Sequence, residues 1–138
     1  MTKYNPWKPP FPTGSLYWDE EDREETFRTY DHPMAFYDLS SEEQESLLEW
    51  TKQLKKIKSF NNRNTSYGIK HLFEGSGNGF YIYNGAMKGA MLLSGFKVDD
   101  IGELNWVFNV SKKSIKEKQK ESIEERQKRS RKNGLFQI

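Results

Sequence analysis

The sequence predicts an α+β fold: a small winged-helix-like domain over residues 40–111, built from two helices, a short strand, a third helix and a final strand. An aromatic and acidic N-terminal arm over 1–39 precedes it, and a basic helical extension over 112–138 follows. Two observations carry this. Apolar residues recur at three- and four-residue steps in three separate stretches, the period of a helix face, and glycine-rich punctuation then isolates two short segments of strand character. With 138 residues, 34% of them hydrophobic and 14% aromatic, the chain supports one modest core with polar extensions.

The arm opens with Pro6, Pro9, Pro10 and Pro12 set among Tyr4, Trp7 and Phe11. Proline fixes φ and donates no backbone hydrogen bond, so this stretch is expected to be extended, its aromatics docking on a partner or folding back on the domain. The acidic run Asp19, Glu20, Glu21, Asp22, Glu24, Glu25 follows. The first domain helix is expected over 41–58. Ser40 and Glu43 have the spacing of a capping box, and Leu47, Trp50, Leu54 and Ile57 line one face. Lys52, Lys55, Lys56 and Lys58 close its last turns, where the helix dipole favours cations.

Asn61 and Asn62 interrupt the chain. Thr65 or Ser66 then caps a second helix to about Glu74, with Ile69, Leu72 and Phe73 facing inward. Gly75, Gly77 and Gly79 permit a reversal, FYIY at 80–83 has strand composition, and Asn84 caps a third helix that ends near Gly95. LNWVFNV at 104–110 alternates Leu104, Trp106, Phe108 and Val110 with Asn105, Val107 and Asn109, the period of a half-buried strand. Trp50, Leu54, Leu72, Phe73, Met91, Trp106 and Phe108 are therefore expected to share one core. Beyond Ser111 only Ile115 and Ile123 are apolar until Leu135, which predicts a largely solvated helix.

The glycine-rich centre raises two functional readings. A phosphate loop needs its glycines between a strand and a helix, whereas Gly75, Gly77 and Gly79 follow a helix and precede a strand segment, so that reading fails. A helix-turn-helix has the right order of parts. Its third helix, however, offers only Asn84, Lys88 and Ser94 for base reading, and Gly85 and Gly89 suit close packing in a core instead.

The strings NTSYGIKHLFE (64–74), GFYIYNGAMKGAM (79–91) and ELNWVFNV (103–110) resemble a family of small proteins carried by phages and mobile elements of Gram-positive bacteria. The resemblance spans roughly residues 36–112 and rests on the spacing of Tyr67, Gly68, Lys70, His71, Gly79, Asn84 and Gly85. It implies a setting rather than a chemistry: an accessory protein that acts on nucleic acid or on a host protein.

Composition argues against an enzyme and against bound metals or cofactors. There is no cysteine, so neither a disulfide nor a thiolate site exists, and the two histidines, His32 and His71, form no metal-binding pair. No Gly-x-Ser-x-Gly elbow occurs, and His71 and Glu74, three apart, fit a structural pair. No apolar run reaches membrane-spanning length and no apolar leader opens the chain, so a cytoplasmic location in a bacterial host is expected.

The formal charge of +2 conceals segregated blocks. Residues 1–49 carry four cations against twelve acids, 50–73 six cations and no acid, and 112–138 ten cations against four acids. Such blocks favour association with oppositely charged partners. Lys52, Lys55, Lys56, Lys58, Arg63, Lys70 and Lys88, with Arg126, Lys128, Arg129, Arg131 and Lys132 of the tail, are the candidate phosphate contacts of a non-catalytic nucleic-acid-binding accessory or regulatory protein. The alternative is an inhibitor of a host defence system, of anti-restriction or anti-CRISPR type. It would bind protein through Trp18 and the acidic side chains of Asp19, Glu20, Glu21, Asp22, Glu24 and Glu25.

Overall fold

The computed structural model describes residues 5–12, 14 and 17–135, with side chains as far as Arg131. Its elements are helix α1 (Arg23–Tyr30), a 3₁₀ helix (Pro33–Asp38), α2 (Ser41–Thr51), α3 (Ser66–Glu74), α4 (Asn84–Leu93) and α5 (Lys112–Leu135). Helix α2 begins as its sequence signals. The Ser40 hydroxyl accepts from the Glu43 amide at 3.1 Å, and the Glu43 carboxylate accepts from the Ser40 amide at 3.0 Å.

The α+β winged-helix expectation is not met: among the described residues the regular structure is helical and there is no β-strand. FYIY at 80–83 takes no regular structure and belongs to no ladder. The 104–110 segment makes isolated antiparallel bridges, Val110 with Lys56, Val107 with Thr65 and Phe108 with Val98. Its alternation records burial, since Trp106, Phe108 and Val110 are all buried. A sheet fails to form because the facing segment is broken by the turn at Asn61, so single bonds recur at irregular spacing: Ile57 to Asn109, Asn61 to Phe108 and Ser66 to Trp106.

Helix α2 also stops seven residues short of Lys58. The Gln53 and Leu54 amides bond three residues back, to Trp50 and Thr51, tightening the chain out of the helix. It then runs beside 109–111 and the start of α5, so Lys55, Lys56 and Lys58 lie on an irregular segment. Pairing with a distant segment has overridden local helix propensity.

Helix α4 is the centre of the molecule. All of Asn84–Met91 is buried, and the 3₁₀ helix packs directly on it. A Cβ on Gly85 would lie 2.2 Å from the His32 carbonyl oxygen, and one on Gly89 2.4 Å from that of Pro33. Only glycine permits this approach. Trp50, Leu54, Phe73, Met91, Trp106 and Phe108 share the core as expected, with Leu72 at its margin.

The described part of the N-terminal arm folds back, Tyr4 lying outside the described residues. Phe11 packs edge-on against Phe27 of α1 at 5.7 Å, and Trp7 lies 6.0 Å from Tyr37. Helix α5 is docked over its first half rather than solvated throughout. Ser114, Ile115, Lys118 and Ser122 are buried, and the Ser122 hydroxyl donates to the Gly75 carbonyl at 2.8 Å. Small hydroxyls and a lysine stem make a stripe that an apolar count overlooks.

Candidate nucleic-acid interface

Two features of the surface concentrate binding chemistry. The first is built by the Asn61 turn and the start of α5. Asn61 is fully buried; its side-chain oxygen accepts from the Arg63 amide at 3.1 Å and its amide nitrogen donates to the Asn64 side chain at 2.9 Å. This fixes a turn that displays Arg63. Ser111 caps α5, accepting from the Ser114 amide at 3.2 Å, so Lys112 and Lys116 project from the first turns. Arg63, Lys112 and Lys116, with Asn64, Gln119 and Ile115, line a depression of about 190 Å³ that no carboxylate borders. All three cations are exposed, and none has an ion-pair partner among the described residues.

The basic segment after α2 runs beside this cluster. The Lys55 amide donates to the Ser114 hydroxyl at 3.2 Å, and the Lys55 carbonyl accepts from the Ser111 amide at 2.8 Å. Lys52, Lys55, Lys56 and Lys58 are exposed, the Lys56 ammonium lying 4.8 Å above the Phe96 ring.

The second feature is a cleft of about 650 Å³ beside α3, walled by Tyr17, Tyr30, Tyr67, Tyr81 and Tyr83. Glu74 holds two of its sides together. Its carboxylate pairs with the Lys70 ammonium at 3.1 Å, meets His71 Nδ1 at 3.0 Å and accepts from the Ile82 amide at 3.0 Å. Lys70 thus sits between rings, 5.4 Å from Tyr67 and 5.1 Å from Tyr81.

Beneath the cleft, Asp31 is a buried hub. Its carboxylate accepts from the Tyr17 hydroxyl at 2.7 Å and from the Asn84 amide at 3.1 Å. That same Asn84 nitrogen reaches Asn105 Oδ1 at 3.0 Å and the Leu104 carbonyl at 3.3 Å, tying α4 to the 104–105 segment. Burial and the Asp31 carboxylate raise the Tyr17 pKa well above its ordinary value, so the hydroxyl keeps its proton.

The sequence-selected residues fall into distinct places. Lys88 is 1% exposed; its ammonium donates to the Asp31 carbonyl at 2.8 Å and lies 4.7 Å over the Trp106 ring. Burial lowers its pKa to about 7, partly opposed by Asp31. Lys70 is likewise buried and paired. Neither reaches a phosphate in this arrangement. Arg63 is gathered into the cation cluster, whereas Arg126, Lys128, Arg129 and Arg131 are exposed along the far half of α5 and the Lys132 side chain lies outside the described residues. Trp18 is 47% exposed, and Asp19, Glu20, Glu21, Asp22, Glu24 and Glu25 all face solvent without ion-pair partners among the described residues.

Sequence reasoning missed Lys112, Lys116 and the convergence of the tyrosines on one cleft. Among the described residues no group of His, Asp and Glu is placed to hold a metal, and no helix is long and apolar enough to cross a membrane. No protein-family model, curated protein or solved structure matches the chain.

Proposed function

We propose that the chain is a non-catalytic nucleic-acid-binding protein, an accessory or regulatory factor of the kind carried by phages and mobile elements, which grips phosphates through Arg63, Lys112 and Lys116. One observation carries the reading. Three cations from segments almost fifty residues apart in sequence, without ion-pair partners among the described residues, converge on one depression whose described lining holds two side-chain amides and no acid. Converging cations favour a polyanion, and the guanidinium with its neighbouring amides supplies directional donors to phosphate oxygens. Lys55, Lys56 and Lys58 extend the basic surface, and the cations of α5 from Arg126 onward add sequence-independent attraction.

The test is fluorescence anisotropy of labelled single-stranded and duplex oligonucleotides at low salt. The triple variant Arg63→Gln, Lys112→Gln, Lys116→Gln is expected to lose at least about tenfold in affinity for both. Neutralising Lys128, Arg129, Arg131 and Lys132 is expected to cost less. Absence of binding at low salt, or unchanged binding by the triple variant, would refute the reading.

A second reading, protein binding by an inhibitor of a host defence system, is favoured by the six exposed carboxylates at 19–25, which have no ion-pair partner among the described residues, beside the exposed Trp18. An unneutralised acidic surface suits the basic groove of a nucleic-acid enzyme. Under this reading, replacing those six carboxylates by amides abolishes capture of a host nuclease, while nucleic-acid affinity is absent from the start.

A further inference from the structure

We propose that the tyrosine-walled cleft receives an unpaired nucleobase, so that the ligand is single-stranded nucleic acid. This rests on the phosphate-gripping reading above and names the substrate class for it. Tyr30, Tyr67, Tyr81 and Tyr83 are 42%, 50%, 71% and 40% exposed, a cost in apolar surface that a chain with so small a core has no structural need to bear. Their contacts are edge to face. Tyr30 meets Tyr83 at 4.6 Å and 86°, Tyr81 meets Tyr83 at 5.7 Å and 84°, and Tyr67 meets His71 at 4.4 Å and 88°. Perpendicular packing covers at most one face of one ring in each pair, and the exposure of these side chains leaves ring surface open to stacking.

The volume of about 650 Å³ lies within the range of small-molecule sites and accommodates a flat base inserted edgewise. Asn105, half-buried at the cleft margin, adds a side-chain amide able to meet a base edge.

A cationic occupant would have to compete with the Lys70 ammonium, which is paired with Glu74 and already lies over Tyr67 and Tyr81. Position argues for a polynucleotide. Arg63 precedes Tyr67 by four residues, which limits their separation to about 14 Å even for an extended chain. A strand whose phosphates lie on Arg63, Lys112 and Lys116 therefore reaches the cleft within a few nucleotides. A duplex keeps its bases stacked and paired, and its edges cannot enter.

The experiment compares a labelled 12-mer single strand with a hairpin duplex of the same sequence, for the wild type, Tyr81→Ala, Tyr67→Ala and the triple cation variant. A 2-aminopurine in the single strand reports stacking. The wild type is expected to prefer the single strand by at least about fivefold, with 2-aminopurine emission changed on binding. Each tyrosine variant is expected to lose about 5- to 100-fold for the single strand while leaving duplex affinity unchanged. The triple variant loses both. Equal affinity for the two probes, or tyrosine variants that bind the single strand as the wild type does, overturns the base pocket and leaves the phosphate grip standing. Displacement of the single strand by millimolar tetramethylammonium assigns the cleft to cations and overturns the proposal. Failure to bind either probe removes the underlying reading and this inference with it.

Discussion

Lys70 and Glu74, one helical turn apart on α3, form an ion pair of 3.1 Å in which the two side chains are only 7% and 16% exposed. The pair does more than neutralise itself. The same carboxylate holds His71 and the Ile82 amide, so one acidic group joins α3 to the segment bearing Tyr81 and Tyr83. Removing it leaves a buried ammonium without its counter-charge.

Glu74→Ala is accordingly expected to destabilise the protein by about 3 kcal/mol, since it orphans both Lys70 and a part-buried backbone amide. Glu74→Gln, which keeps an acceptor for Ile82, is expected to cost less. Urea denaturation of both variants checks the order, and a Glu74→Ala protein as stable as wild type would contradict the arrangement.

Two glycines in helices should respond oppositely to the same methyl group. Gly89→Ala pushes a Cβ to 2.4 Å from the Pro33 carbonyl oxygen and 2.6 Å from Phe36 Cβ, contacts that only a shift of the 3₁₀ helix relieves. A loss of about 2 kcal/mol is expected. Gly68→Ala meets nothing within 4 Å and removes a flexible residue from α3, so a gain of about 0.5–1 kcal/mol is expected. Thermal melts of the two variants give the signs directly.

Lys88 makes stability depend on pH. Its pKa falls from 10.5 to about 7 on folding, so between those values the unfolded chain binds more protons than the folded one. Stability therefore rises with pH through this window, by up to about 1.4 kcal/mol per unit, and the cost of burying the charge is fully present below pH 7. Tyr17, with its raised pKa, works the other way above about pH 10, where the unfolded tyrosine ionises first. Lys88→Met is expected to flatten the rise between pH 7.5 and 9.5 in chemical denaturation. A wild-type curve already flat across that interval would mean that the amine titrates normally.

Helix α2 was legible because Ser40 and Glu43 form a local capping box, and the packing of α4 was legible because Gly85 and Gly89 stand four apart on one face. The missing strands show where pattern reading stops. Alternation at 104–110 reports which side chains are buried, and it is silent on whether the neighbouring chain stays straight enough to form a ladder. Asn61 decides that, through a turn visible only when its side-chain bonds to Arg63 and Asn64 are seen.

The site divides in the same way. Arg63 stood out within an acid-free block, yet Lys112 and Lys116 were submerged in a tail of mixed charge that includes Glu117. The tyrosines were beyond reach for a different reason: Tyr17 and Tyr30 come from the arm and α1, Tyr67 from α3, and Tyr81 and Tyr83 from the loop before α4. Only the tertiary fold, through Asp31, Asn84 and Glu74, makes them one wall. Lys88 misled because a lysine on a helix expected to pack in the core was still counted with the exposed cations, whereas its stem and ammonium are buried between Asp31 and Trp106.

Leu54→Ala tests the core itself. Leu54 is 3% exposed in the main cluster just beyond the end of α2, and its truncation is expected to cost about 2–5 kcal/mol. An unchanged melting temperature would contradict its placement.

The salt dependence of single-strand binding tests the central claim most directly. If Arg63, Lys112 and Lys116 each neutralise a phosphate, neutralising all three reduces the steepness of the negative slope of log K against log salt concentration by about 2, at roughly 0.7 per contact. A slope identical in wild type and triple variant would mean that the cluster holds no phosphate, and the account would fail at its base.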